Sequence, residues 1–139
     1  MAERIGIIGA GIMGAGLTQL ATQNGYEIVL VDTAQEQLDN AIGRITAGLE
    51  RGVQRGVFEA SVRDQALQNI QTTTRLEEGA QTSLVIENIW EEQHAKEELL
   101  QKLDQMAPPE TILASNTSTI PITELATATK RPDKVIGMH

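Results

Sequence analysis

Residues 4–16 read R-I-G-I-I-G-A-G-I-M-G-A-G, and the folding of this stretch decides how the rest of the chain is read. Its first part, Arg4–Ile8, is a β-branched run of the kind that forms strands buried on both faces of a parallel sheet. It runs into Gly9-Ala10-Gly11-Ile12-Met13-Gly14, a G-x-G-x-x-G spacing. Glycine and alanine are common, so the spacing alone carries little. Its position carries more, because the glycines close a predicted strand and open a predicted helix over Ile12–Asn24, stopped by Gly25. There the first glycine permits a tight turn. The second lets backbone approach a pyrophosphate, and the third lets helix and strand pack closely. The helix N-terminus then offers free N–H groups and a partial positive charge to the anion.

The next strand, Glu27–Val31, delivers Asp32 at close to the ~20-residue interval expected of a ribose-binding acid. A carboxylate there accepts from a ribose 2′-hydroxyl and repels a 2′-phosphate, which points to NAD rather than NADP. Further apolar runs at Ser83–Glu87, Thr111–Ser115 and Lys134–Met138 read as strands. Between strands the period changes. Leu38, Ile42, Ile45, Leu49 and Val53 mark one face of a long helix, with Thr33 and Glu36 as a capping box. Glu91–Met106 is a further helix, ended by Pro108-Pro109. A turn at Gly56, a short helix near Glu59–Asn69 with Leu67 and Ile70 facing inward, and a strand at Ile70–Thr73 complete the pattern. The alternation predicts one α/β domain over residues 1–139: a doubly wound, mainly parallel, Rossmann-type sheet with an inserted helical hairpin.

Composition narrows the ligands. With 19 acidic against 11 basic residues the formal net charge is -8, which disfavours nucleic acid and anionic membranes as partners. A phosphorylated ligand must therefore be gripped by backbone and not by the overall field. No apolar run approaches the ~18 residues of a membrane span. The absence of cysteine excludes disulfides and thiolate metal sites, and no metal is expected. "MAER" passes directly into a strand, so neither a signal nor a transit peptide is expected and the plain reading is cytoplasmic. With one Trp, one Tyr and one Phe, the core must be aliphatic.

The blocks Gly9–Gly16, Val29–Asp32, Val85–Asn88, Ala114–Ser118 and Gly137-Met138-His139, at their spacing, resemble the L-3-hydroxyacyl-CoA dehydrogenase family. The likeness covers nearly the whole chain and is weakest across Arg44–Thr82. It implies an NAD-binding domain followed by a helical domain that forms a homodimer and closes over the acyl-CoA. It also implies interconversion of (S)-3-hydroxyacyl-CoA and 3-oxoacyl-CoA by hydride transfer to NAD. By position, His139 matches the catalytic base and Ser118 a serine that contacts substrate and cofactor. Glu91 and Lys96 match cofactor-contacting positions. Gly9, Ala10, Gly11, Ile12, Met13, Gly14 and Asp32 match the pyrophosphate and adenosine site, and Arg55 can meet a phosphate of CoA. In the family a glutamate and an asparagine that assist the histidine lie beyond it in the chain. The chain is thus expected to end at its base, to bind dinucleotide and to turn over little or no substrate.

Each assignment has a structural alternative. Asn88 and Glu91 suit a capping box, Lys96 suits a surface ion pair with Glu92, and Ser115–Thr119 suits a polar turn. His94 reads as solvated surface, and Trp90 packs beside the cofactor site or is simply buried. Asn88 stands where the family commonly has alanine. Two other functions keep the fold: a dehydrogenase of a non-CoA hydroxy acid or carrier-bound acyl group, and a non-catalytic NAD(H)-sensing module.

Overall fold

The computed structural model describes residues 3–139. The reading of the N-terminus as free of a leader falls partly on Met1 and Ala2, outside the described residues. The chain runs through β1 (Arg4–Ile8), α1 (Ile12–Gln23), β2 (Glu27–Val31), α2 (Gln35–Gln54), α3 (Ala60–Gln68), β3 (Ile70–Thr73) and α4 (Leu76–Ala80). It continues through β4 (Leu84–Glu87), α5 (Gln93–Met106), β5 (Ile112–Ser115), α6 (Ile122–Ala126), a single 3-10 turn and β6 (Val135–Gly137). The strands form one sheet in the order β3-β2-β1-β4-β5-β6, with every described pairing parallel. The chain works outward from β1 to β3, then crosses back to lay β4 on the other side of β1. That reversal is the doubly wound topology that the alternating periods predict.

Both faces of the sheet are covered, which is why its strands read as continuous apolar runs. Successive side chains point to opposite faces. Ile28 and Leu30 join Ile5 and Ile7 in a core closed by Leu38, Ala41, Ile45 and Leu49 of α2. Val29 and Val31 join Ile8 and Val85 in a second core closed by Leu100 and Leu103 of α5 and Leu125 of α6. The cores are aliphatic, as the composition requires: Phe58 packs at the rim of the first, while Tyr26 and Trp90 are exposed. Leu67 and Ile70 pack against the first core as expected, although Ala66 is the fully buried residue of α3.

Several local expectations are corrected. The buried face of α2 is Leu38, Ala41, Ile45, Gly48 and Leu49, rotated from the predicted stripe so that Ile42 and Val53 are only half-buried. Its N-cap is Ala34, with no Thr33–Glu36 box; Asp32 Oδ1 instead accepts from the Ala34 N–H at 3.0 Å. α5 begins at Gln93, not Glu91. Its cap is Glu92, whose carboxylate accepts from the N–H groups of His94 at 3.1 Å and Ala95 at 2.6 Å. Asn88 cannot cap it, because its amide is engaged with Ile86 and Asn116. α4 and α6 have five residues each, too few to show a period. Among the described residues no helix is long and apolar enough to cross a membrane.

Candidate functional site

The strands end together. Cα partners run from Thr73 through Val31, Ile8, Glu87 and Ser115 to Gly137, one row across the sheet at its carboxyl edge. Gly9, Asp32, Asn88 and Asn116 follow immediately, so the residues singled out from sequence emerge side by side. The loops after β1 and β4 diverge to opposite faces, which opens a crevice where such sheets bind ligands. The cleft there is about 600 Å³. Gly9, Gly11, Asp32, Thr33, Asn88 and Trp90 form part of its wall, over an apolar floor that includes Val31, Leu76 and Leu99.

The glycine loop has the form that its sequence demands. Gly9 has φ +102, and a Cβ there would lie 2.7 Å from the Asn88 carbonyl oxygen. A Cβ at Gly14 would collide with the Gly9 carbonyl, so helix and strand do pack through that glycine. A Cβ at Gly11 would meet nothing, leaving room above the loop. The N–H groups of Gly11, Ile12 and Met13 have no protein acceptor among the described residues, so the start of α1 is free to hold an anion. Ala10 N–H is already engaged, donating to Asp32 Oδ2 at 2.9 Å. Asp32 thus pins the loop to the end of β2 while remaining on the cleft wall. Free amides, an open glycine and an acid in place together fit a dinucleotide.

A second cluster lies beside the cleft, after β4, β5 and β6. Glu91 accepts from the Thr117 hydroxyl at 2.8 Å, the Ser118 N–H at 2.9 Å and the Ser118 hydroxyl at 3.1 Å. The Ser118 N–H, then the Thr117 hydroxyl, outweigh partial burial and hold its carboxyl at about 2, against an ordinary 4.5. Glu91 is therefore the brace of the Ser118 loop and not a helix cap. Because its folded value is depressed, its stabilising contribution is complete above about pH 4.5 and is lost as pH falls toward about 2. Denaturant titrations are expected to give a constant stability gap between the parent and Glu91→Gln above about pH 5, narrowing toward about pH 3. A gap that does not change with pH would contradict the brace.

Beneath this cluster is an ion pair that the sequence did not disclose. Lys96 does not pair with Glu92 on the surface; its side chain is 1% exposed. Nζ donates to Glu87 Oε1 at 2.7 Å, to Glu87 Oε2 at 2.8 Å and to the Ile89 carbonyl at 3.2 Å, which uses all three of its protons. Glu87, fully buried at the end of β4, also accepts from the Ser115 hydroxyl and the Ile89 N–H. Lys96 faces the site through Glu91 Oε1, 3.6 Å away.

His139 Nδ1 lies 2.8 Å from Asn116 Oδ1, and Asn116 Nδ2 donates to Asn88 Oδ1 at 2.6 Å, which ties the end of β6 to the cleft. Ser118 and His139 are both exposed. Arg55 is not brought to either cluster: it caps α2 in the exposed hairpin. His94 is exposed and pairs with Glu98 at 3.1 Å, the solvated role expected of it. Trp90 is 70% exposed on the cleft wall, so burial does not account for it. Sequence reading missed Leu76 and the α5 residues Ala95, Glu98, Leu99 and Lys102 of the cleft. The spacing of the last four by three and four marks one helix face, a signal present in the sequence.

The model of the family described as "3-hydroxyacyl-CoA dehydrogenase, NAD binding domain" matches residues 4–139. A probable 3-hydroxybutyryl-CoA dehydrogenase of Deinococcus radiodurans is 45% identical over 136 residues, 98% of this chain and 49% of that protein. A 3-hydroxyadipyl-CoA dehydrogenase of Escherichia coli is 36% identical over 137 residues, 99% of this chain and 29% of that protein. The crystal structure of (S)-3-hydroxybutyryl-CoA dehydrogenase from Ralstonia eutropha matches with a TM-score of 0.95 at 32% identity. That match covers 100% of this chain and 49% of the other. The chain spans about half the length, or less, of the relatives it matches.

Proposed function

Since the chain belongs to the NAD-binding domain family of the 3-hydroxyacyl-CoA dehydrogenases, we propose that it is the cofactor-binding portion of an NAD-dependent enzyme interconverting (S)-3-hydroxyacyl-CoA and 3-oxoacyl-CoA. The observation that carries this reading is the shared strand-end row, which sets the glycine loop, Asp32, the Ser118 loop and His139 along one edge.

Bound NAD supplies the hydride acceptor. Backbone and side-chain groups of this chain would act around it. The free amides of Gly11 to Met13 hold the pyrophosphate, and Asp32 accepts from the adenosine ribose. Ser118, its loop braced by Glu91, orients the substrate oxygen. His139 Nε2 takes the hydroxyl proton as general base. Lys96 serves the cofactor through Glu91 rather than by direct contact. The acyl pocket and the homodimer contacts belong to the part of the relatives' length outside this chain.

The test is an NADH titration with excitation of Trp90, the only tryptophan. Saturable energy transfer to the nicotinamide, not reproduced by NADPH, is the expected result. With 3-hydroxybutyryl-CoA and NAD the same chain is expected to show little or no turnover. Turnover at the ~1–10³ s⁻¹ typical of enzymes would contradict this division of labour. A folded chain that binds no NADH would overturn the reading of the glycine loop.

A further inference from the structure

A line of three side chains connects the cleft to the end of β6, and its polarity is fixed at the inner end. Asn88 Nδ2 donates to the Ile86 carbonyl at 3.3 Å, Asn116 Nδ2 donates to Asn88 Oδ1 at 2.6 Å, and Asn116 Oδ1 meets His139 Nδ1 at 2.8 Å. An amide can face either way, and a neutral imidazole can donate or accept at either nitrogen. A backbone carbonyl has no such freedom, because it only accepts. The reversed line satisfies every link but one: it sets the Asn88 oxygen against the Ile86 oxygen. Asn88 therefore turns its NH2 group inward and its oxygen to Asn116. Asn116 in turn donates inward and offers its own oxygen to His139. An acceptor at that place requires the proton on Nδ1 and leaves the lone pair on Nε2.

We propose that Asn88 and Asn116 are positioning residues that hold His139 as the Nδ1–H tautomer, with Nε2 as its basic nitrogen. The order comes from the Ile86 carbonyl through two neutral amides, with no carboxylate in the line. Both asparagines are half-buried, so water competes weakly for their amides. The tautomer follows from geometry alone; its meaning as the preparation of a base rests on the function proposed above.

The experiment is long-range ¹H–¹⁵N correlation on the whole chain with ¹⁵N-labelled histidine, at about pH 8, where imidazole is neutral. Such spectra separate a protonated ring nitrogen from one bearing a lone pair. The chain has two histidines, and exposed His94, whose Nε2 faces Glu98 at 3.1 Å, is the internal reference. His139 is expected as Nδ1–H in the parent, although free neutral imidazole in water favours Nε2–H. Asn88→Ala frees the Asn116 amide to turn, and a hydrogen bond of ordinary net strength then moves the tautomer ratio about fivefold toward Nε2–H. Asn116→Leu removes the acceptor and is expected to shift the ratio the same way, so the result does not hang on one variant folding. In the Asn88→Ala, Asn116→Asp double variant a carboxylate, which only accepts, restores Nδ1–H. The His94 signals should not move in any of them. Nε2–H in the parent, or an unchanged ratio in folded Asn88→Ala, overturns the proposal. The spectrum is blind to turnover, so the tautomer and the dehydrogenase reading can fail separately.

Discussion

Asp32→Ala is expected to weaken NADH binding by one to two decades and to narrow the preference over NADPH. Two losses combine. The carboxylate no longer accepts from the ribose, and a hydrogen bond to a charged group is worth about 1.5–3 kcal/mol. The Ala10 N–H, held at 2.9 Å, also loses its acceptor, so the glycine loop is no longer pinned to the end of β2. The fold should survive, because Asp32 lies at a strand end and lines the cleft rather than either core. Asp32→Asn separates the two losses. It keeps one oxygen for Ala10 but gives up the charge, so its affinity should fall less while its rejection of the 2′-phosphate weakens as much. Energy transfer from Trp90 measures both cofactors in one format. An Asp32→Ala protein with NADH affinity within about twofold of the parent would remove Asp32 from the site, since even a weak hydrogen bond to a charge exceeds that change.

Lys96→Met carries the largest expected effect on stability, about 3–5 kcal/mol in denaturant unfolding. Methionine fills the space of the stem but leaves Glu87 fully buried without its cation. The Ser115 hydroxyl and the Ile89 N–H still reach the carboxylate, yet neither neutralises it. Removing both charges in Glu87→Gln, Lys96→Met should recover most of the loss, since a neutral pair carries no desolvation cost for ions. NADH affinity should not recover in parallel, because Lys96 also stands 3.6 Å from Glu91, the brace of the Ser118 loop. A Lys96→Met protein within about 1 kcal/mol of the parent would show that the pair is dispensable to the fold.

How legible a residue was in the sequence depended on the range of the interaction that places it. The strands could be read because each is a short apolar run covered on both faces, and α2 because twenty residues are long enough to show a stripe. Gly9, Gly14 and Asp32 could be read because their roles follow from positions along one strand–turn–helix–strand unit. The start of α5 could not, because the competition among Asn88, Glu91 and Glu92 to cap it is settled by Asn116, Thr117 and Ser118 in the loop after β5. Lys96 sits among glutamates and glutamines and has the pattern of a solvated face; only the turn of α5 onto β4 takes it inside. A hint was present. Glu87 closes a strand that is otherwise apolar, and a carboxylate drawn into a sheet calls for a buried cation. The asparagine line to His139 left no trace in the sequence, since it joins the ends of three strands that are adjacent only in space.

Because all described strand pairings are parallel, no two neighbouring strands can meet through a tight hairpin, and each contact must wait for the ordering of a long crossover. β1 reaches β4 only after β2, β3 and four helices have intervened in the chain. The cleft lies at that seam, so it is expected to form late in folding, and a ligand that fills it would recognise molecules in which β1 has met β4. NADH at a hundred times its dissociation constant should then add about 2.7 kcal/mol to global stability. It should do so chiefly by slowing unfolding, with little change in the rate at which the chain first collapses. In a refolding experiment the gain of Trp90-to-nicotinamide transfer should trail the recovery of helical signal, making the cofactor a clock for the closure of β1 against β4.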